Sequence, residues 1–258
     1  MRKYLQFKKH KINLFYLILL VLLLILFVTI PPCRKSLIML KKKADQATLR
    51  YKMNMVKWFS FSEENALKEW EEKIFKNKVV YRIEKGKDLS YVRARSKASA
   101  SALYYKVRLD AKSRRPVVSW KWKVEKFPIK KLPESIDTKN EDDFAARVYV
   151  IFPAAFFTKS KVLEYIWAET IPEGTVGTSP YSANIKLIVA KTGLDLEGKW
   201  FFEERDIAED YKTAFGNAPE YDIGAVAFMT NAEHTGSSAD AMYDEIKLGY
   251  KEGLVSKR

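Results

Sequence analysis

The sequence is short of cysteine, histidine and glycine, and each shortage removes a class of chemistry. Among 258 residues there is one cysteine, Cys33, and there are two histidines, His10 and His234. An intramolecular disulfide framework, a cysteine-rich zinc site and a multi-histidine metal centre are therefore excluded. The 10 glycines form no phosphate-cradling loop, which argues against a nucleotide-dependent enzyme.

Basic residues are abundant, but they are concentrated at the start of the chain. The formal net charge is +14. Residues 1–30 hold five Lys or Arg and no acid, and residues 31–57 hold eight against Asp45 alone, which leaves +2 for residues 58–258. A near-neutral body without a basic patch argues against a nucleic-acid partner, and basic residues beside an apolar segment favour phospholipid headgroups.

An apolar segment covers residues 14–30 and is followed by two prolines. It is near the short limit for a helix that crosses the roughly 30 Å hydrocarbon layer of a phospholipid membrane. A cleaved signal peptide is the alternative, but no small-x-small cleavage pattern follows the segment. The sequence thus predicts a basic head and transmembrane anchor over 1–30, a basic membrane-proximal stalk over 31–57 and a folded domain over 58–258.

The charges that flank the apolar segment do not settle its orientation, because five basic residues precede it and five follow it closely. Long folded domains are exported largely regardless of flanking charge, and a short basic head usually directs the following chain outward. We therefore expect a single-pass protein of the cytoplasmic (inner) membrane, with its folded domain outside the cytoplasm.

The folded domain is mainly a series of predicted strands. From Val117 to Glu125 apolar and polar residues alternate, so one face of that strand should be buried and the other wet. Gly86 indicates a hairpin turn between two other runs. About nine strands and few helices predict an all-β fold, an antiparallel β-sandwich of jelly-roll type with one or two short helices. The predicted strands cover 79–84, 89–96, 102–110, 117–125, 145–152, 184–191, 200–202, 223–230 and 241–249.

Two helices are predicted within this domain. Ser62 is a suitable N-cap for one over 63–75, which has a single apolar face that includes Trp70. The other spans about 206–215, where apolar residues recur at helical spacing, and Gly216 can end it.

Several spaced motifs resemble those of one protein family. They are Ser-Trp-Lys-Trp-Lys-Val at 119–124, Glu-Asp-Asp-Phe-Ala-Ala-Arg-Val-Tyr-Val at 141–150, Glu-Arg-Asp at 204–206, Glu-Asp-Tyr at 209–211, Phe-Gly at 215–216, Asn-Ala-Glu-His-Thr at 231–235 and Tyr-Asp-Glu-Ile at 243–246. In this order, over roughly residues 58–248, the chain resembles the bacterial domain-of-unknown-function family 3047. The resemblance implies an exported bacterial protein with a β-sandwich, and it brings no assigned activity. It also implies an aspartate at position 231, where this chain has asparagine.

Acidic residues cluster in two parts of the domain. Two carboxylates about 5–10 Å apart can hydrolyse a glycosidic bond, one as proton donor and the other as nucleophile or base. The candidates for such a pair are Asp142, Asp143, Glu203, Glu204 and Asp206. The structural alternative is that these acids form ion pairs with Arg147 and Arg205 or cap local elements.

Two further groups of polar residues lie near the end of the chain. Ca²⁺ takes six to eight oxygen ligands, and Asp240, Asp244 and Glu245 lie near the final strand without a diagnostic spacing. These acids leave calcium binding as an alternative, and no other cofactor is expected. His234 lies among hydroxyl residues and lacks a Gly-x-Ser-x-Gly motif, a setting more typical of a turn than of a catalytic base.

Aromatic residues make up 14% of the chain, and sugar rings stack on such side chains. Trp120 and Trp122 share the apolar face of their strand, so we expect them in the core. Tyr165 and Trp167 precede a loop at 171–181, and loops on a rigid sandwich commonly carry binding residues. The candidate binding residues are Arg147, Tyr165, Trp167, Tyr181, Asp142, Asp143, Glu204, Arg205 and Asp210.

These observations predict non-catalytic binding of a cell-envelope polysaccharide or another envelope component. A polysaccharide-acting hydrolase that uses a carboxylate pair is one alternative. A scaffold that binds an envelope protein is another, and it predicts an exposed apolar patch of several hundred Å².

Overall fold

The computed structural model describes residues 53–63, 65–86, 89–139 and 142–252. The predicted anchor and nearly all of the predicted stalk lie outside these residues. Within the described ranges, no helix has the length and apolar character needed to cross a bilayer.

The described residues form two β-sheets, here called sheet A and sheet B. Sheet A consists of β1 (Met53–Phe59), β3 (Val80–Lys85), β4 (Ser90–Lys97), β6 (Pro116–Lys126), β11 (Phe201–Asp206) and β13 (Ser238–Lys251). Sheet B consists of β2 (Glu71–Lys76), β5 (Ala100–Leu109), β7 (Arg147–Phe152), β8 (Lys161–Ala168), β9 (Val176–Thr178), β10 (Ile185–Thr192) and β12 (Ile223–Asn231). The domain is therefore an all-β sandwich with few helices, as the sequence predicts.

The order of the strands explains how distant parts of the chain meet. Sheet A has the order β11-β6-β13-β4-β3, with β1 paired to β13, and sheet B has the order β2-β5-β12-β7-β8-β10-β9. The pairs are antiparallel except β8 with β10, which run parallel. This parallel pair departs from the purely antiparallel sandwich predicted from sequence, and β9 lies in the crossover that such a pair requires.

The core lies between the two sheets and is rich in aromatic rings. On β6 the side chains of Val118, Trp120, Trp122 and Val124 are all fully buried, which confirms the predicted alternation. Trp120 packs against Tyr165 of sheet B, with ring centroids 5.2 Å apart. Each large side chain removed from water stabilises the fold by about 1.5–3 kcal/mol. Sheet-to-sheet burial of these rings therefore holds the sandwich closed.

One α-helix, α1 (Ile207–Phe215), follows β11 directly. Its N-cap is Asp206, whose side chain accepts a hydrogen bond from the backbone N–H of Glu209. Gly216 adopts a left-handed conformation at φ 83° and ends the helix, which glycine does without steric strain. The helix predicted at about 206–215 is thus confirmed.

The helix predicted over 63–75 is wrong. A short 3-10 helix at Ala66–Glu69 is followed by β2, which pairs with β5 at the edge of sheet B. Trp70 is buried against Phe59 and Phe228, whereas Ile74 is 44% exposed, so the predicted apolar face does not exist. Pairing with β5 overrides the local helical pattern, because a strand's environment depends on its neighbours more than on its own sequence.

Four strands have no counterpart among those predicted. They are β1, β2, β8 and β9. Strand β1 begins at Met53, within the segment interpreted as stalk, and it pairs with the end of β13. Each of the nine predicted strands overlaps an observed strand, and the β3–β4 hairpin is confirmed, with Lys85 opposite Ser90.

The segment between β6 and β7 covers part of the outer face of sheet B, the face directed away from sheet A. Its residues Ile136 and Phe144 form a small second core with Ile166 and Val189. Gly177 permits this packing, because a Cβ atom there would lie 2.2 Å from Ile136 Cδ1. The segment thus brings residues 142–144 next to the loop that follows β12.

Candidate functional site

A buried arginine lies at the centre of the candidate site. On β7, Val148 and Val150 face the core, so Arg147 faces the outer side of sheet B. Its guanidinium pairs with Glu164 and lies 3.2 Å from Asp142 Oδ1, and only 3% of the residue is exposed. A buried cation is tolerated only when such partners surround it.

Asn231 connects this arginine to the neighbouring loop. Its Oδ1 accepts hydrogen bonds from Arg147 Nε (2.8 Å) and from the backbone N–H of Phe144 (3.1 Å). Its Nδ2 donates to Asp143 Oδ1 (2.8 Å) and Glu233 Oε2 (2.9 Å). A side-chain amide suits this position because it offers an acceptor on one side and donors on the other.

The pKa values of Asp143 and Glu233 are shifted in opposite directions, although the two residues are neighbours. Burial acts to raise the pKa of Asp143, but hydrogen bonds from Thr235 and from the backbone of His234 outweigh it and hold that pKa below its ordinary value. Burial, reinforced by the negative charge of Asp143, raises the pKa of Glu233 to about 7. Near neutral pH, therefore, Asp143 is ionised and Glu233 is partly protonated.

Tyr181 and His234 form the exposed part of the site. The Tyr181 hydroxyl lies 2.5 Å from His234 Nε2, and Tyr181 is 48% exposed. Burial and the nearby acids Asp142 and Glu233 raise the pKa of Tyr181 to about 12, so its phenol stays protonated.

Two lysines flank this pair. Lys139 Nζ lies 5.3 Å from the centre of the Tyr181 ring, and Lys76 Nζ donates to the backbone oxygen of Glu233 at 3.3 Å. Tyr181, His234, Lys139 and Lys76 are called the rim site below. Its residues come from the β6–β7, β9–β10 and β12–β13 loops and from the end of β2.

Among the predicted binding residues, Asp142, Asp143, Arg147 and Tyr181 come together at this site. The sequence interpretation missed Glu164, Asn231, Glu233, Lys76 and Lys139. The assignment of His234 to a turn is confirmed, but its contact with Tyr181 was not predicted. The sequence signal that could have found some of them was the Asn-Ala-Glu-His-Thr motif at 231–235, which supplies Asn231, Glu233 and His234.

Tyr165 and Trp167 are not ligand-binding residues in this structure. Both lie on the inner face of β8 and are fully buried. The Trp167 ring packs against Trp122 and Phe201. The sequence placed them near a loop, but they belong to a strand whose alternation directs them into the core.

Arg205 and Asp210 form a separate, structural contact. Arg205 donates to both carboxylate oxygens of Asp210, at 2.7 and 2.8 Å. The Tyr165 hydroxyl donates to Asp210 Oδ2 at 2.8 Å. These bonds attach α1 to β11 and β8, so the three residues stabilise the fold.

The five acids of the hydrolase hypothesis belong to separate sets of contacts. Asp142 and Asp143 are buried beside Arg147 and Asn231. Asp206 caps α1 and pairs with Arg115 at 2.6 Å. Burial raises the pKa of Glu203 to about 7 in a setting that includes Lys191 and Arg205, and Glu204 is exposed on the opposite face of β11. These contacts favour the structural alternative of ion pairs and caps.

Two of the three acids that could bind calcium are engaged in ion pairs. Asp240 pairs with Arg93 at 2.8 Å, and Glu245 pairs with Lys247 at 2.5 Å. Asp244 is buried, and burial raises its pKa to about 6. In the part of the chain that the structure describes, no three His, Cys, Asp or Glu side chains are arranged to hold a metal ion.

The scaffold alternative requires exposed apolar surface, and β1 is one of the places where the described residues offer it. Met55, Val56 and Trp58 are each about half exposed, at 49%, 52% and 49%. That an envelope protein binds to them stays a prediction.

Several solved structures are similar to this chain at low sequence identity. A family 11 carbohydrate-binding module of a cellulosomal cellulase of Clostridium thermocellum is 13% identical, with a TM-score of 0.38, and the match covers 79% of this chain and 97% of the module. A xylan-binding domain from Paenibacillus barcinonensis is 10% identical, with a TM-score of 0.39 and coverage of 79% and 99%. The xyloglucanase domain of a type three effector from Sinorhizobium fredii is 10% identical, with a TM-score of 0.42 and coverage of 70% and 93%.

No curated protein matches the chain. One family model, described as "Protein of unknown function (DUF3047)", matches residues 68–247.

Proposed function

Because this chain belongs to the DUF3047 family, which is described only as a protein of unknown function, its role has to be argued from its own residues, and we propose that it binds a cell-envelope polysaccharide at the rim site. The binding domain is held at the outer surface of the cytoplasmic membrane by the apolar segment 14–30.

The exposed ring of Tyr181 is the observation that carries the proposal. A pyranose ring presents C–H groups that pack on an aromatic face, and its hydroxyls need donors and acceptors beside that face. Tyr181 is half exposed and is fixed by its hydrogen bond to His234. Lys139 and Glu233 add polar groups within the same small area.

The buried contacts below the rim site support binding by keeping it in one geometry. Arg147, Asn231 and Asp143 connect the β6–β7 loop with the β12–β13 loop. A site that is already ordered loses less conformational entropy when its ligand arrives. A polar network of this kind is costly to bury, so its position directly under an exposed aromatic pair is consistent with a functional site.

Membrane attachment and the external location are supported by the sequence alone. Residues 14–30 are apolar, and the basic residues on both sides suit anionic headgroups. A polysaccharide of the cell envelope would be within reach of a domain placed there.

Binding is tested with the full-length chain, purified in a detergent without a sugar headgroup. Calorimetric titration against a panel of envelope polysaccharides should detect one class of ligand. Tyr181→Ala should weaken binding by about tenfold or more, because it removes the stacking surface. The matched control is Tyr91→Ala, a tyrosine on β4 of sheet A that packs against Trp200. Absence of binding to every glycan, or equal affinity in Tyr181→Ala, would refute the proposal.

A further inference from the structure

At the rim site a phenol and an imidazole, two groups that can exchange a proton, are in direct contact. Tyr181 is protonated, since its pKa is raised to about 12, and its hydroxyl lies 2.5 Å from His234 Nε2. His234 is partly exposed, with 25% of its side chain accessible. Both groups can therefore meet a bound sugar, and a proton can pass between them over one short hydrogen bond.

Two lysines at the rim can bind the carboxylate of an acidic sugar. Below the rim, Arg147 is paired with Asp142 and Glu164. The ionised Asp143 carboxylate is stabilised by hydrogen bonds from Asn231 and from the backbone of the 231–235 loop. Among the described residues at the rim, the cations that can meet a ligand are Lys76 and Lys139. Glu233, with a pKa of about 7, can also donate a hydrogen bond to a ligand carboxylate in its protonated form.

We propose that the rim site cleaves 4-linked uronate polysaccharides by β-elimination, with His234 as base and Tyr181 as acid. This inference rests on the proposed function, since the polysaccharide must first bind there.

The reaction balances without any co-reactant. Lys139 and Lys76 neutralise the uronate carboxylate, which makes the neighbouring C5 hydrogen more acidic. His234 Nε2 takes that hydrogen as a proton, the electron pair forms the C4–C5 double bond, and the bond from C4 to the glycosidic oxygen breaks. Tyr181 gives its proton to the departing oxygen. The proton on His234 then returns to the Tyr181 oxygen across their hydrogen bond, and both groups are restored.

Contact between acid and base predicts which sugars react. Two groups 2.5 Å apart lie on the same side of the substrate, so they can serve only an elimination in which the C5 hydrogen and the O4 substituent share one face of the ring. Mannuronate and glucuronate units have that arrangement. Galacturonate and guluronate units have these groups on opposite faces and should not react.

The experiment uses the full-length chain with four polymers: polymannuronate, polyglucuronate, polygalacturonate and polyguluronate. Ultraviolet absorbance of the conjugated double bond measures elimination, and calorimetry measures binding to the same polymers. We expect product from polymannuronate or polyglucuronate only. Tyr181→Phe keeps the ring but lacks the hydroxyl, so it should bind normally and lose about 10²–10⁴-fold in rate. His234→Gln should lose rate to a similar extent, and Tyr91→Phe serves as the matched control.

The outcomes separate the two proposals. Binding of polymannuronate or polyglucuronate without product overturns the elimination and leaves the binding function intact. Equal turnover of polygalacturonate, or full activity in Tyr181→Phe, also overturns it. Binding of neutral polysaccharides alone overturns the assignment of a uronate substrate. Failure to bind any glycan refutes both.

Discussion

The carboxylate of Asp143 accepts a hydrogen bond from the backbone N–H of Thr235 over 2.7 Å, although the two residues are 92 positions apart. This bond closes the loop before β7 onto the loop after β12. Because His234 directly precedes Thr235, the same bond helps to fix the residue that holds Tyr181. The position of the exposed pair thus depends on buried polar contacts.

Removing the central arginine should destabilise the domain. Arg147→Met leaves Asp142 and Glu164 buried without their cation, and breaking a buried ion pair from one side costs about 3–5 kcal/mol. Chemical denaturation of the full-length chain measures the free energy of unfolding. The control, Arg108→Met, alters an arginine whose side chain is 90% exposed and should change that energy by less than about 0.5 kcal/mol. Equal losses in the two variants would contradict a stabilising role for Arg147.

Asn231→Asp should also destabilise the domain, and more strongly at high pH. The change removes the donor that Asp143 and Glu233 share and places another negative charge between them. Arg147 also contacts this position, but it is already paired with Asp142 and Glu164. Burial and the two neighbouring acids should therefore raise the pKa of the new carboxylate, so the variant should lose stability as the pH rises and this carboxylate ionises. Thermal unfolding at about pH 5 and pH 8 tests this, with Asn217→Asp near exposed Glu220 as the control. A loss that is the same at both pH values would argue against the charge explanation.

Glu233 should make the protein less stable as the pH rises. Burial raises its pKa to about 7, above its ordinary value of 4.5. The stability contributed by the protonated form is therefore complete below about pH 4.5 and lost as the pH rises through about 7. Glu233→Gln cannot ionise, so its free energy of unfolding should fall less steeply than that of the wild type between about pH 5 and pH 8.

Two comparisons isolate the effect of Glu233. Burial also raises the pKa values of Glu203 and Asp244, to about 7 and about 6, and these groups contribute to the fall in both proteins. Glu197→Gln, which changes an exposed glutamate, should keep the wild-type slope. A wild-type slope in Glu233→Gln as well would show that Glu233 does not titrate as described.

The proposed orientation in the membrane can be tested at the single cysteine. Cys33 follows the apolar segment by three positions, so an outward domain should expose it to a membrane-impermeant maleimide in intact cells. Cys33→Ser should show no labelling. In that background, Lys112→Cys places a thiol at an exposed position of the domain itself. Labelling of both thiols only after cell lysis would place the domain inside.

The periodicity of the sequence predicted most of the sandwich, because alternation of apolar and polar residues is a local property. Strand β6 is the clearest case, since Trp120 and Trp122 are buried as predicted. The limits of α1 were also readable, from Asp206 as cap and Gly216 as end. Strand β2 was mistaken for a helix because only its pairing with β5 makes it a strand.

The candidate site was predicted in part. Arg147, Asp142, Asp143 and Tyr181 were named, but the residues that join them were missed. Glu164 lies on β8, a strand that was not predicted. Asn231 makes hydrogen bonds to residues nearly 90 positions away, and Glu233 joins the site through its bond with Asn231. No local pattern reports such distant contacts.

The sequence by itself determined the composition of the domain, the alternation that separates its core from its surface, and the apolar segment that precedes it. Only the tertiary structure decided that Tyr165 is core while Tyr181 is exposed, and that His234 meets Tyr181. The physical reason is that the alternation of apolar and polar residues is local in sequence, whereas strand pairing and register decide which segments become strands and which loops meet in a site.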